Sequence, residues 1–351
     1  MLTREDVIWA YRLCLNREPE HEDTISGWIR NSGDRASLTQ ALLSSPEYKA
    51  ANGAANADLK SPFWHYHTSF DAIGLIKRFA RRNLQPAPGY VTNFLGVKVQ
   101  PRFLPAVLSE RVNTVEPLPL PANWHADIAE WAGCLRAVEL AGDTFVMLEL
   151  GCGWGCWMNN LGVAAKSAGK RVRLYGIEAD LEHTEFAKAA LSDNGIAEHE
   201  FKLVQGIAGK SASLALFPKI KSGIDWGGAA LFNPNPEQLD SAMQSGNFVS
   251  IPVIDIASVL KDETVVDFIH LDIQGAELDL VREVFGLLCE KVRFVFIGTH
   301  SKSIEGGLFD LFMADGNWKL EMERAALFNI IGGMPVVSVD GVQAWRNSRL
   351  S

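Results

Sequence analysis

Two stretches of this chain hold residues whose types and spacing could do chemistry. The first reads Glu149-Leu-Gly151-Cys-Gly153-Trp-Gly155, with a further acid, Glu178, at the end of the next apolar run. Glycines let a backbone come close to a ligand, an acid ahead of the turn suits a cationic group, and an acid at the next strand end can accept hydrogen bonds from a ribose diol. The second stretch carries Asp272, Gln274 and Glu277, with His300 further on. Asp272 and His300 each sit just past an apolar run, and a carboxylate or an imidazole can accept a proton near neutral pH.

The spacing separates the ligands that fit. A dinucleotide fingerprint places its glycines as G-x-G-x-x-G, and here the third, Gly155, arrives one place early. A phosphate-binding loop needs a Lys followed by Ser or Thr after its glycines, and none follows these. S-adenosylmethionine, which carries an ammonium, a sulfonium and an adenosine, matches Glu149, the glycines and Glu178 better. A nucleotide-cofactor oxidoreductase is the alternative enzyme class. Cys152 and Cys156 lack the second pair or partner His that a zinc site needs. Asp272, Glu277 and His300 are a conceivable ligand set, but no tight spacing supports it, so no metal is assigned.

Positioning these residues requires a βαβ unit. Phe145 to Leu150 and Val172 to Ile177 are short apolar runs separated by a helix-compatible segment. A helix at Leu181 to Leu191 ends at Asn194-Gly195, and Phe201 to Gln205 reads as a third strand. Val265 to Leu271 is a buried-type strand, Asp272 to Gly275 a turn and Ala276 to Leu288 a helix. Val292 to Ile297 is a further strand, ending in Gly298-Thr299-His300, and a helix runs from about Ile304 to Met313. Trp318 to Glu323 and Met334 to Val339 are expected to close the sheet as an antiparallel pair. Between these, Ala212 to Phe217 and Phe248 to Ile254 read as strands, Asp255 to Leu260 as a short helix, and Pro218 to Asn247, holding Trp226, as a long loop. Alternating strands and helices mean an α/β fold with a doubly wound, mostly parallel sheet.

Ahead of this core, Asp6 to Leu15, a stretch holding Ile25, Trp28 and Ile29, and a third helix capped by Ser37 form a small all-helical unit. Ala50 to Asp58 reads as a linker. Phe70 to Arg82 is amphipathic, with Lys77, Arg78, Arg81 and Arg82 on a solvated face. Tyr90 to Phe103 suggests a hairpin around Gly96, Val115 to Pro121 is too rich in proline for a central element, and Ala126 to Leu140 is helical. The expected divisions are 1–58, a lead-in at 59–140 that shapes the substrate site, and 141–351. Five scattered cysteines do not make a disulfide framework, and they fit a reducing cytoplasm. A net charge of −9 disfavours nucleic acid as partner. No apolar run is long enough to span a membrane.

The ordered segments LELGCGWG, YGIEAD, VSIPVIDIASVL, VDFIHLDIQGAELDLVRE and IGTHS resemble the FkbM-type family of class I S-adenosylmethionine-dependent methyltransferases, over roughly Phe145 to Trp318. The resemblance implies a Rossmann-like fold and methyl transfer from S-adenosylmethionine, typically to oxygen on a saccharide or secondary metabolite. It places Glu149, Gly151, Gly153 and Gly155 at the methionine side, Glu178 at the ribose, and Gln205, Gly206 and Ile207 beside the adenine. Of Asp272 and His300, His300 is the favoured general base, and the other orients the acceptor. The family's acid two places after Asp272 is here Gln274, which weakens any mechanism or metal site needing a carboxylate there. The first fifty residues resemble a small helical domain attached to bacterial glycan-modifying proteins, which implies a protein partner or self-association. A non-catalytic adaptor that keeps the fold is the alternative outside enzymes.

Overall fold

The computed structural model describes residues 2–15, 17–47, 61–211, 213–219, 228, 230–232 and 234–350. The chain divides into two compact units, Met1–Trp64 and His65–Ser351.

The first unit is three helices, Arg4–Leu15, Glu22–Asn31 and Arg35–Ser44. Their apolar positions recur at helical spacing and bury Val7, Tyr11, Ile25, Leu38 and Leu42 against one another. The third helix is capped by Asp34, whose carboxylate accepts the N–H of Ser37 at 2.8 Å. Ser37, the expected cap, therefore lies inside the helix, because the acid three residues earlier reaches the free N–H groups first. The linker expected at Ala50 to Asp58 and Trp226 lie outside the described residues.

The second unit is built on an eight-stranded sheet. Seven of its strands are β1 (Thr144–Leu150), β2 (Arg171–Glu178), β3 (Phe201–Gln205), β4 (Phe268–Leu271), β5 (Phe294–Thr299), β6 (Trp318–Arg324) and β7 (Gly341–Asn347). Across the sheet the order is His67–Thr68, β6, β7, β5, β4, β1, β2, β3. β1 to β5 run parallel, and β7 lies antiparallel to both β5 and β6. The accompanying helices are α1 (Ile128–Leu140), α2 (Cys156–Ser167), α3 (Leu181–Asp193), α4 (Glu277–Lys291) and α5 (Lys302–Asp315).

Alternation along the strands sends residues to opposite faces. Val146, Leu148, Ile269, Leu271, Val295 and Ile297 form one core with Leu280, Val281 and Val284 of α4 and Leu308 and Phe312 of α5. On the other face Phe145 stacks near Phe268, and Gly133 of α1 lets the helix close onto Phe296. Gly162 of α2 admits Leu174 of β2 in the same way. Burial of each such aromatic ring contributes about 2 kcal/mol. The α/β doubly wound fold expected from the sequence is the fold observed.

Two assignments change. Met334–Val339 does not join the sheet; it pairs with Leu327–Ile331 in a separate hairpin, and β7 takes the place beside β6. The Gly332-Gly333 pair, with φ 59° and 82°, turns this hairpin tightly. Its strands leave Ile330 and Met334 largely exposed, whereas β7 buries Trp345 completely against Phe312. Within the expected long loop at Pro218 to Asn247, residues Pro236–Ser245 form a helix and Leu231–Phe232 a short strand. That strand belongs to a four-stranded sheet with Ser213–Pro218, Phe248–Asp255 and Ile207–Gly209.

The segment ahead of α1 holds a helix, Ala72–Phe79, and a small sheet of Val91–Thr92, Lys98–Val99 and Thr114–Val115. Asp127 and Glu130 form a reciprocal capping box at the start of α1. Phe103, Trp124 and His125 of this segment pack on Trp154 and Trp157, so both tryptophans are buried in an aromatic layer behind the glycine turn. Among the described residues, no helix is long and apolar enough to cross a membrane.

Candidate functional site

The carboxyl ends of parallel strands form the rim where α/β folds bind ligands, because loops leave the sheet there on both sides. At the end of β1 the chain turns through Gly151, Gly153 and Gly155, all at positive φ (71°, 53° and 71°). The N–H groups of Gly151 and Cys152 both donate to the carbonyl of Ile177, at 2.9 and 3.2 Å. Gly153 N–H donates to Glu178 Oε2 at 2.7 Å. The turn is thereby stapled to the end of β2. A Cβ on Gly151 would lie 2.6 Å from the carbonyl oxygen of Asp272, so the backbone after β4 approaches the turn as closely as only glycine permits.

A cavity of about 230 Å³ opens over this rim. Six of the sequence-predicted residues line it: Gly151, Gly153, Glu178, Gly206, Ile207 and Asp272. Four do not. Glu149 lies on the α1–α2 face of the sheet, wholly buried, where its two oxygens accept the N–H groups of Trp157 (3.1 Å) and Met158 (2.8 Å). Burial pushes its carboxyl up to about 8, against the downward pull of those two hydrogen bonds. Gly155 starts α2 and lets it pack against Ala187 of α3. Gln205 pairs in register with Glu178 and does not line the cavity, its amide lying 3.5 Å from the carbonyl of Ala179. His300 stands behind Asp272.

Glu178 is buried, and its second oxygen accepts the N–H of Asp180 at 2.9 Å. Burial raises its pKa, and the Asp180 and Gly153 hydrogen bonds pull the other way. The cavity also uses residues to which the motifs assign no binding role. His183 comes from the first turn of α3, Phe217 and Phe232 from the four-stranded sheet, and Ile273 and Gln274 from the turn after β4. A signal for His183 was present, since Asp180 caps α3 and so sets that first turn at the end of β2. Phe217 and Phe232 sit in a sheet whose pairing is not local in sequence.

The turn after β4 is tight, with Gln274 at φ 57° and Gly275 at φ 98°. It is held by Glu277, whose Oε1 accepts Gly275 N–H at 2.9 Å and Ile273 N–H at 3.3 Å. Asp272 does not cap α4, whose N-cap, Ala276, has no side-chain hydrogen bond, and the contact to Asp272 within the turn is the Gln274 amide at 3.4 Å. His300, just past β5, places Nδ1 2.9 Å from Glu277 Oε1 and Nε2 3.4 Å from Asp272 Oδ1. Asp340, entering β7, lies 3.8 Å from Nε2.

Burial lowers the His300 pKa, but the Glu277 contact and the charges of Glu277, Asp272 and Asp340 outweigh it and lift the ring to about 9. The acids around His300 therefore favour its charged form, as they would favour any cation at this point. Asp272 is pushed up to about 6 by burial, with His300 opposing. Because 48% of its side chain faces the open cleft, water screens that push until a ligand fills the space.

No family model matches the sequence. A relative from Jannaschia sp. (strain CCS1), named "Putative methyltransferase", is 40% identical over 273 residues, covering 78% of this chain and 97% of the relative. The chain belongs to that methyltransferase family. Among solved structures, a methyltransferase FkbM from Methylobacillus flagellatus KT superposes with a TM-score of 0.40 at 14% identity, covering 62% of this chain and 54% of that one. This chain thus spans about half the length of that structure. An O-methyltransferase from Bacillus cereus in complex with SAH gives a TM-score of 0.34 at 12% identity, over 61% of this chain and 79% of that one.

Proposed function

We propose that this methyltransferase is of the FkbM type, uses S-adenosylmethionine, and methylates a hydroxyl oxygen of a saccharide or small secondary metabolite. The observation that carries the cofactor is the cavity at the glycine turn, where Gly151 leaves no space for a side chain and Glu178 closes the end of β2. Gly151 and Gly153 would border the methionine side, Glu178 the ribose, and Gly206 and Ile207 the adenine. Glu149 and Gly155 support this cradle from behind by fixing the start of α2, and Gln205 extends the strand that presents Gly206.

S-adenosylmethionine supplies a methyl group already activated by its sulfonium, so the protein's task is to orient a nucleophile and accept its proton. Asp272 lines the cavity, is open to the cleft and holds a carboxylate there, which makes it the better placed of the two candidate bases. His300 stands behind Asp272, with Nε2 3.4 Å from Oδ1, and positions that carboxylate. The helical residues 2–47 are a platform for a protein partner or for self-association.

Calorimetric titration with S-adenosylhomocysteine and with NAD tests the cofactor, and micromolar binding of the first without the second is expected. Labelled S-adenosylmethionine incubated with a cell extract then identifies the acceptor. Asp272→Ala is expected to lower turnover about 100-fold or more, with His300→Ala the milder. Near-normal turnover in both variants would defeat the assignment of this rim to the reaction.

A further inference from the structure

Beside the cavity, side chains of metal-ligating type converge from two places in the sequence, the turn after β4 and the end of β5. One donor atom from each of Asp272, Glu277 and His300 lies within 4.8 Å of the others. Neither nitrogen of the His300 ring is aligned for a hydrogen bond, although Nδ1 stands 2.9 Å from Glu277 and Nε2 3.4 Å from Asp272. Glu277 is wholly buried. Its Oε1 is committed to two backbone N–H groups, while its Oε2, equally buried, has no hydrogen-bond partner. A buried carboxylate oxygen without a donor is costly and calls for a positive neighbour. Asp340 adds a third carboxylate 3.8 Å from the ring, so the cluster sets three acids against one imidazole.

We propose that Asp272, Glu277 and His300 bind a divalent metal ion, through one oxygen of each carboxylate and one ring nitrogen. Two carboxylates with one imidazole form a mixed set suited to Mn²⁺, Fe²⁺ or Mg²⁺ rather than to thiolate-seeking ions. Glu277 Oε1 is held by backbone donors, which orients the carboxylate as supporting hydrogen bonds do around metal sites. Asp272 is half open to the cleft and gives the ion a path in. Three protein ligands leave coordination positions for water or an acceptor hydroxyl. There the ion would orient the hydroxyl and ease its loss of a proton to the remaining oxygen of Asp272. That second role rests on the methyl-transfer reading above; the binding itself does not.

The test uses the full chain, stripped with chelator and titrated with Mn²⁺ alone, free Mn²⁺ being followed by electron paramagnetic resonance. One Mn²⁺ per chain is expected. Asp272→Asn and His300→Gln should each weaken binding at least about tenfold, and Asp310→Asn, on the exposed side of α5, should leave it unchanged. Glu277 is left intact because it also holds the turn. Should His300→Gln fail to fold, Asp272→Asn decides alone. Absence of binding up to millimolar Mn²⁺, or binding indifferent to Asp272→Asn, overturns the proposal. Titration of the same samples with S-adenosylhomocysteine keeps the two readings apart. If that ligand binds and Mn²⁺ does not, only the metal site falls; the reverse outcome removes the donor reading.

Discussion

The two ends of the rim recognise by different means. Around the glycine turn, the contacts are backbone groups: N–H groups of Gly151, Cys152 and Gly153 fixed on β2, and a main-chain approach from Asp272 that only glycine allows. At the ends of β4 and β5 the contacts are charged side chains, Asp272, Glu277, His300 and Asp340, gathered from positions up to 68 residues apart in sequence numbering (340 − 272). A backbone cradle is selected by the absence of side chains and tolerates little change. In the charged cluster, Asp272 and His300 are selected by chemistry, while Glu277 also holds the turn through two backbone N–H groups. On the proposed reading, the first would hold the methyl donor and the second would face the acceptor.

This contrast is breakable by mutation. The largest effect is expected from Gly151→Val, where φ of 71° and the carbonyl of Asp272 both oppose a branched side chain. S-adenosylhomocysteine affinity should fall about 100-fold, equivalent to ~2.7 kcal/mol, with a lower melting temperature. Unchanged affinity by calorimetry would remove the close backbone approach from the account.

A smaller effect belongs to Glu149, the acid that the fold turns away from the cavity. Its folded pKa of about 8 stands above its ordinary 4.5. Below about 4.5 both folded and unfolded chains carry its proton; from there to about 8 only the folded chain does. Its contribution to stability is therefore full at low pH and lost as pH rises through that window, at up to about 1.4 kcal/mol per pH unit. Urea unfolding of the parent and of Glu149→Gln at pH 5 and pH 8 should show the parent losing ground to the variant. A constant difference would mean that Glu149 ionises normally and that its two helix N–H donors outweigh its burial.

The smallest effect is expected at Gln274, a non-glycine residue at φ 57° in the turn that carries Asp272. Gln274→Gly should raise stability by about 0.5–1 kcal/mol, since relief of the left-handed strain is partly offset by a freer unfolded chain. Thermal unfolding checks this. A loss of stability would show that the amide contact to Asp272 matters more than the backbone.

Much of the frame was legible because it is local. The apolar runs at β1, β2 and β5 and the glycine punctuation of the turn follow from neighbours in sequence, and so does the helix after Asp180. The errors arose where pairing is long-range. Met334–Val339 and β7 are both apolar strands after β6, and local pattern cannot decide which one pairs with it. The Gly332-Gly333 turn was the overlooked sign that the first folds back on Leu327–Ile331. Glu149 misled for a related reason. Alternation along β1 puts it on the same face as Phe145 and Met147, under α2, and an acid at a strand end need not point into the cleft.

The sequence by itself determined the order of strands and helices, the glycine turn and the acid at the end of β2, because backbone conformation and apolar periodicity act over a few residues. Only the tertiary structure decided which acids meet. Asp272, Glu277, His300 and Asp340 have no spacing that marks a common site. They converge because β4, β5 and β7 lie side by side in the sheet, and the low dielectric of that packed rim then couples their charges.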